Sequence, residues 1–138
     1  MRPPDTGSVD SVLNVLLIED ETNMQSIETA FLERYTEQHG GDLHVKALHD
    51  PVQGLFEATT NGGSYDLILL DVRLPQLTGD EIYQSIMHVN PELLGRILFI
   101  TGYREDLLSR FPGDSLNILD KPFRYEQFEN SLATILDS

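Results

Sequence analysis

Five short apolar runs, separated by segments with helical spacing, constrain the fold of this chain more than any other feature. The runs end at Ile18, Leu48, Leu70, Ile100 and Leu119. Near-continuous apolar runs of this length are typical of strands that are buried on both faces of a parallel sheet. Glycine and proline separate the runs from the intervening segments, as at Gly40-Gly41 and Gly62-Gly63.

Apolar side chains recur at helical spacing in each segment between or after these runs, which predicts five helices. The predicted inward stripes are Met24, Ile27, Ala30, Phe31 and Tyr35 in the first helix, Val52, Leu55, Phe56 and Thr59 in the second, Ile82, Ile86 and Val89 in the third, Leu107, Leu108 and Phe111 in the fourth, and Phe128, Leu132, Ile135 and Leu136 in the fifth. Five strands that alternate with five helices predict an α/β fold with helices on both faces of the sheet.

The length of 138 residues suits one domain. We assign it to residues 12–138 and predict that residues 1–11, which contain two prolines and a glycine, are a disordered leader or the remnant of a linker. The sequence has no cysteine, which excludes disulfides, thiolate metal sites and a cysteine nucleophile.

The charge balance narrows the classes of partner. With 9 Lys+Arg against 23 Asp+Glu, the formal net charge is −14, which argues against direct binding of nucleic acid. No apolar run approaches the roughly 20 residues that a membrane span needs, so membrane insertion is not expected. No basic segment precedes an apolar signal-type core either, which argues against secretion.

The residues that end the strands carry the chemical signal. Glu19 and Asp20 follow the first strand, Asp71 ends the third, Thr101 ends the fourth and Lys121 follows the fifth. The carboxyl ends of parallel strands meet at one edge, where ligands bind in such sheets. Crowded carboxylates need a cation, and oxygen ligands favour Mg²⁺. These residue types predict a phosphoacceptor site in which a carboxylate is the nucleophile.

Four motifs, taken in their order along the chain, resemble the receiver domain of response regulators in two-component signalling. They are LLIEDE, LILLDVRLPQLTGDE with Asp71, Pro75 and Gly79, FITGY with Thr101, and LDKPF with Lys121. The resemblance covers about residues 13–137. It implies a flavodoxin-like (βα)5 three-layer sandwich, with a five-stranded parallel sheet of order 2-1-3-4-5.

The resemblance also implies a metal site and a phosphorylation site. Asp71 would be the phosphorylated side chain. Asp20, Asp71 and the backbone carbonyl of Arg73 would ligate Mg²⁺ directly, and Glu19 would act mainly through a coordinated water. No organic cofactor is implied.

Two further residues complete the site that the resemblance implies. Lys121 would pair with the Asp71 carboxylate and then with the phosphoryl group, and Thr101 would hydrogen-bond that group and couple it to a conformational shift. Many receivers have an aromatic residue where this chain has Ile118, so the usual aromatic switch is not expected here. Arg73 and Tyr103 are expected to stack over the site entrance and to slow hydrolysis.

The implied function is a cytoplasmic phosphoacceptor in a two-component system. A partner histidine kinase or histidine phosphotransfer domain would donate the phosphoryl group, and the output would reach a downstream protein or a fused output or kinase domain. The face formed by strands 4 and 5 and the last helix could also form a homodimer. The chain is not expected to be an enzyme with a separate substrate, because it would only gain and lose phosphate at Asp71.

The sequence leaves two other classes of function open. A pseudo-receiver that is never phosphorylated would act as an interaction module; Ile118 leaves room for it, although the intact acidic residues count against it. A flavin carrier or a Mg²⁺-dependent phosphatase is disfavoured, because EDETNM after strand 1 is neither a phosphate loop nor a D-x-D motif. We expect the four histidines to lie in loops or on the surface: His39, His44, His49 and His88.

Overall fold

The computed structural model describes residues 11–71, 78–113 and 115–137. Within these ranges, the strands are β1 Val12–Ile18, β2 Asp42–Leu48, β3 Leu67–Asp71, β4 Ile97–Thr101 and β5 Asn117–Asp120. The α-helices are α1 Thr22–His39, α2 Pro51–Asn61, α3 Gly79–Val89, α4 Arg104–Arg110 and α5 Tyr125–Leu136. The predicted roles of Arg73 and Pro75, and the predicted leader except for Ser11, fall outside the described residues.

The five strands form one parallel sheet in the order β2-β1-β3-β4-β5, which confirms the predicted flavodoxin-like topology. The register places the carboxyl ends of the central strands side by side. Ile18 pairs with Leu70, and Asp71 pairs with Ile100. Residues that follow these strands therefore emerge at one edge of the sheet.

Apolar side chains fill both faces of the sheet. On one face, Leu16, Ile18 and Phe99 pack with residues of α2, α3 and α4. On the other face, Leu17 and Phe128 belong to a second core with residues of α1 and α5. The result is the predicted three-layer sandwich. No helix in the described part of the chain is both long and apolar enough to span a bilayer.

The prediction that every strand is buried on both faces is wrong for the two edges of the sheet. All five residues of β3 and of β4 are buried, and β1 is buried from Val15 to Ile18. In contrast, no residue of β2 is fully buried, and only one residue of β5 is. An edge strand has a neighbour on one side only, so adjacent helices cover it less completely.

Two of the predicted helix stripes are correct only in part. Tyr35 is buried, and Phe31 and Leu55 pack against the cores, but other members of these stripes face solvent. In α1, Ile27 is 45% exposed, and the buried face consists of Gln25, Glu28, Leu32, Tyr35 and Thr36. In α2, Val52 and Phe56 are exposed, and the small residues Gly54 and Ala58 face the sheet.

Val52 and Phe56 of α2 are exposed, contrary to the prediction, for a steric reason. The small residues on the opposite face let this helix approach β1 closely. In the remaining helices, Val89 and Leu108 are exposed, whereas the other predicted inward positions are buried or half-buried. The stripe of α5 is confirmed in full.

Gly54→Ala is expected to destabilise the protein. A Cβ atom at Gly54 would lie 2.8 Å from both Cδ1 and Cγ2 of Ile18, a fully buried residue of β1. Overpacking of this kind costs about 1–3 kcal/mol, which exceeds the roughly 1 kcal/mol that alanine gains in a helix interior. Urea unfolding would measure the difference. Gly63→Ala is the matched control, because a Cβ there meets no atom within 4 Å. Equal stability of both variants would contradict the close α2–β1 contact.

Candidate functional site

Three carboxyl groups meet at the carboxyl edge of the sheet. One carboxylate oxygen from each of Glu19, Asp20 and Asp71 lies within 4.8 Å of the other two. Glu19 directly follows β1, and its backbone N–H donates to the carbonyl of Leu48 on the neighbouring strand at 3.1 Å. Glu19 and Asp71 are 2% and 5% exposed, whereas Asp20 faces solvent. The cluster is thus buried on one side and accessible on the other.

Lys121 supplies the positive charge nearest to these buried carboxylates in the described part of the chain. Its Nζ atom lies 3.6 Å from Asp71 Oδ1 and 3.8 Å from Glu19 Oε1. The Lys121 backbone N–H donates to the Thr101 carbonyl at 2.8 Å, and the Lys121–Pro122 peptide bond is cis. The structure therefore brings together four of the residues that the sequence singled out: Glu19, Asp20, Asp71 and Lys121.

Thr101 ends β4, on the strand adjacent to β3 and Asp71. Its side chain is 1% exposed, and its hydroxyl accepts a hydrogen bond from the Tyr103 backbone N–H at 2.9 Å. The hydroxyl is thus tied to the loop that leads into α4. A change in the position of Thr101 would move that loop directly.

Two residues of β5, Ile118 and Asp120, contact α4 and its surroundings instead of the acidic cluster. Ile118 is half-buried and packs against the core beneath α4. Its carbonyl accepts from Arg104 Nη2 at 3.3 Å, and Arg104 Nε also donates to both Asp120 carboxylate oxygens at 3.0 Å. Asp120 consequently faces α4. The four histidines are all exposed, as predicted.

The acidic cluster carries more carboxyl groups than the single ammonium group of Lys121 can balance. Burial, and next the nearby Asp71 carboxylate, raise the pKa of Glu19 well above its ordinary value, while the Glu21 backbone N–H and the Lys121 ammonium group oppose that rise. Glu19 Oε2 accepts from the Glu21 N–H at 3.2 Å, whereas the buried Glu19 Oε1 has no hydrogen-bond partner in the described residues. A buried carboxylate oxygen that lacks a hydrogen bond and lies beside two other carboxyl groups fits a hard divalent cation such as Mg²⁺.

Sequence reasoning missed Glu28, a buried acid on α1. Its side chain is 1% exposed, and it lies one turn after Gln25, whose Nε2 donates to the Glu19 carbonyl at 2.7 Å. Burial, followed by the charge of Glu19, raises the pKa of Glu28 to about 9. The sequence contained a signal, since Gln25, Glu28 and Leu32 share one helix face. Apolar periodicity favours a different face of α1, so it does not predict that these polar residues point inward.

Glu28 is expected to make the stability of the protein depend on pH. Its pKa is about 9 in the folded state against an ordinary value of 4.5. Between these values the folded state keeps a proton that the unfolded chain releases, so the contribution is fully present below pH 4.5 and is lost as pH rises towards 9. One such group contributes up to about 1.4 kcal/mol per pH unit. We therefore expect Glu28→Gln to flatten the decline of stability across this range.

Urea unfolding at several pH values would measure this slope. Glu19, Asp71 and Lys121 act on Glu28 electrostatically and stay unchanged in the variant. Glu33→Gln is the control, because it makes the same substitution on the exposed side of α1. If the Glu28→Gln protein lost stability with pH as steeply as the wild type, the buried carboxyl would not be the cause.

Residues 15–133 match the family model of the response regulator receiver domain. The match spans most of the chain, so the protein belongs to this family. Receiver domains act in two-component signalling, where they interact with histidine kinases and output domains.

Individual relatives agree with this assignment. The chain is 27% identical over 125 residues to the sensor kinase CckA of Brucella abortus, an alignment that covers 89% of this chain and 12% of the kinase. It is similar in fold to the receiver domain of the sensor histidine kinase PA1611 from Pseudomonas aeruginosa, which was crystallised with a magnesium ion in its active-site cleft. That comparison has a TM-score of 0.75 and 25% identity, and covers 93% of this chain and all of the other.

A receiver domain protein from Clostridium thermocellum has the same fold, with a TM-score of 0.75 and 19% identity over 91% of this chain and 94% of the other. The chain spans 12% of CckA and about half of the next curated relatives that it matches.

Proposed function

We propose that this receiver domain accepts a phosphoryl group on Asp71 from a phosphohistidine of a partner kinase or phosphotransfer domain. The observation that carries the proposal is the position of Lys121 Nζ, within 4 Å of both Asp71 and Glu19 in the acidic cluster. A buried nucleophilic carboxylate, a fixed cation and a set of oxygen ligands are the parts that phosphoryl transfer requires.

In the proposed reaction, a carboxylate oxygen of Asp71 attacks the phosphorus atom of the donor. The new O–P bond replaces the N–P bond, and the histidine imidazole leaves. Lys121 balances the charge of Asp71 before transfer and that of the phosphoryl oxygens afterwards. Thr101, at the end of the adjacent strand, would donate its hydroxyl to the phosphoryl group and pull the loop that holds Tyr103.

Asp20 and Asp71 would hold Mg²⁺ directly, with the Arg73 backbone carbonyl as the further ligand that the family resemblance implies, and Glu19 would hold it mainly through a coordinated water. When bound, Mg²⁺ neutralises the charge that gathers on the phosphoryl oxygens. Asp20 is the exposed member of the cluster, so it would be the first carboxylate that an entering cation meets. Glu19 is buried and hydrogen-bonded to the Glu21 N–H, which fixes its orientation.

The phosphorylated protein would act through protein contacts rather than by turnover of a separate substrate. Phosphorylation adds about −1.5 to −2 charge at the site. Through Thr101 this charge would shift the loop before α4, and thus the surface formed by β4, α4 and β5. A downstream protein, or an output or kinase domain in the same chain, would bind that surface, and a homodimer could form through the face of β4, β5 and α5.

Intact mass spectrometry after incubation with acetyl phosphate and Mg²⁺ tests the proposal. We expect one added phosphoryl group that survives acid, is lost in mild base and requires Mg²⁺. A parallel incubation with a phosphorylated histidine phosphotransfer domain covers receivers that accept phosphate only from a protein donor. No adduct from either donor would reject phosphoryl acceptance and favour the unphosphorylated interaction module.

A further inference from the structure

Glu28 is a buried carboxyl group that the proposed phosphoryl transfer does not use. It is 1% exposed and lies on the face of α1 that packs against the sheet, four residues before the core residue Leu32. A buried carboxyl costs stability unless it is hydrogen-bonded, and a leucine of similar size would suit such a position better. A function in the neighbouring acidic cluster would explain why Glu28, which lowers stability, occupies this core position.

Glu28 lies one turn after Gln25 on the buried face of α1, and Gln25 contacts Glu19 directly. The charge of Glu19 acts on Glu28 more strongly than the charges of Lys121 and Asp71 do. Gln25, one turn earlier on the same face, donates to the Glu19 backbone carbonyl at 2.7 Å. The inward face of the first two turns of α1 is therefore polar, and it adjoins the buried side of the acidic cluster.

Two side-chain oxygens in the described residues are buried without a hydrogen-bond partner, and they belong to these two acids. They are Glu19 Oε1 and Glu28 Oε2. A buried polar atom rarely stays unpaired, and a bridging water or a direct contact with another polar group is the usual solution. Neither oxygen hydrogen-bonds the other in the structure, so one shared water is the solution that would satisfy both, beside the Lys121 Nζ atom that lies 3.8 Å from Glu19 Oε1.

We propose that Glu28 is a positioning residue for metal binding, which holds the Glu19 side chain through a shared water while Gln25 holds the Glu19 backbone. This inference rests on the proposed function, because the benefit lies in presenting Glu19 to Mg²⁺. The role requires a hydrogen-bonding side chain of this length and does not require a negative charge. Glutamine can therefore replace Glu28 in this role, and leucine cannot.

The test compares Glu28→Leu and Glu28→Gln with the wild type. Mg²⁺ is titrated while the backbone amide resonances of Glu19 and Asp20 are followed by NMR. The acetyl phosphate reaction is then measured at saturating Mg²⁺. Loss of a group that orients a metal ligand weakens metal binding by about tenfold or more, so we expect that loss for the leucine variant. We expect the glutamine variant to bind within about twofold of the wild type, since it keeps the hydrogen-bonding side chain.

Thermal unfolding separates this role from a purely structural one. We expect Glu28→Leu to be at least as stable as the wild type although it binds Mg²⁺ less tightly, and its reaction rate at saturating Mg²⁺ to be unchanged. A merely structural residue would move stability, affinity and rate in the same direction, and that result would overturn the inference.

Wild-type affinity in the leucine variant, or equal weakening in the leucine and glutamine variants, would also overturn the inference while leaving the proposed function intact. A wild-type protein that shows no response to Mg²⁺ would instead remove the proposed function, and this inference with it.

Discussion

Asp71→Asn is expected to abolish phosphoryl acceptance completely. The amide is not a nucleophile for phosphorus, and no other carboxylate of the cluster both ends a buried central strand and lies 3.6 Å from the Lys121 ammonium group. The fold should survive, because asparagine has nearly the same shape and removes a negative charge that acts on Glu19. Intact mass spectrometry would show no adduct, and thermal unfolding would show no loss of stability.

Asp66→Asn is the matched control for this experiment. Asp66 lies just before β3, at the end of the strand opposite to Asp71, and its carboxylate accepts from the Asn14 N–H at 2.9 Å. The same chemical change there should leave the adduct in place. An adduct that persisted in Asp71→Asn would mean that another carboxylate is the acceptor, and peptide mapping would then identify it.

Lys121→Ala is expected to slow phosphoryl transfer at saturating Mg²⁺ by about 100-fold or more, which is the usual cost of removing one fixed group that stabilises transition-state charge. The variant leaves the buried carboxylates of Glu19 and Asp71 without the cation that lies within 4 Å of both. Mg²⁺ should bind at least as tightly as before, because a competing positive charge is gone. Stopped reactions with acetyl phosphate, together with Mg²⁺ titrations, would measure the two effects separately.

The only other lysine in the sequence provides the control. Lys46 lies on the edge strand β2 and pairs with Glu57 at 3.4 Å, so Lys46→Ala removes the same charge away from the cluster. We expect its reaction rate to remain near that of the wild type. A similar loss of rate in both variants would attribute the effect to net charge and would contradict a specific role for Lys121.

Much of the candidate site could be predicted from sequence because parallel strands bring distant residues together by a simple rule. Glu19 and Asp71 each lie where a predicted buried run ends, and the carboxyl ends of such runs share one edge of the sheet. The family resemblance supplied the strand order and the expected roles. The distances from Lys121 to the two acids, which support a charge-balancing role, came only from the structure.

The errors of prediction occurred where a helix or strand has a choice of faces. The apolar residue Ile27 is exposed on α1, while the polar residues Gln25 and Glu28 are buried beside Glu19. On α2, Phe56 is exposed because Gly54 gives the closer approach to Ile18. Periodicity identifies a stripe of similar residues, but the face that turns inward depends on what the helix packs against.

The sequence by itself determined the alternation of strands and helices and the chemical character of the strand ends. These follow from local patterns: runs of apolar residues, breakers between them, and acids at fixed positions. Tertiary structure decided which strands lie at the edges, which face of α1 is buried and how closely Lys121 approaches Asp71. Each of these depends on contacts between segments far apart in the chain, whose free energies no local pattern encodes.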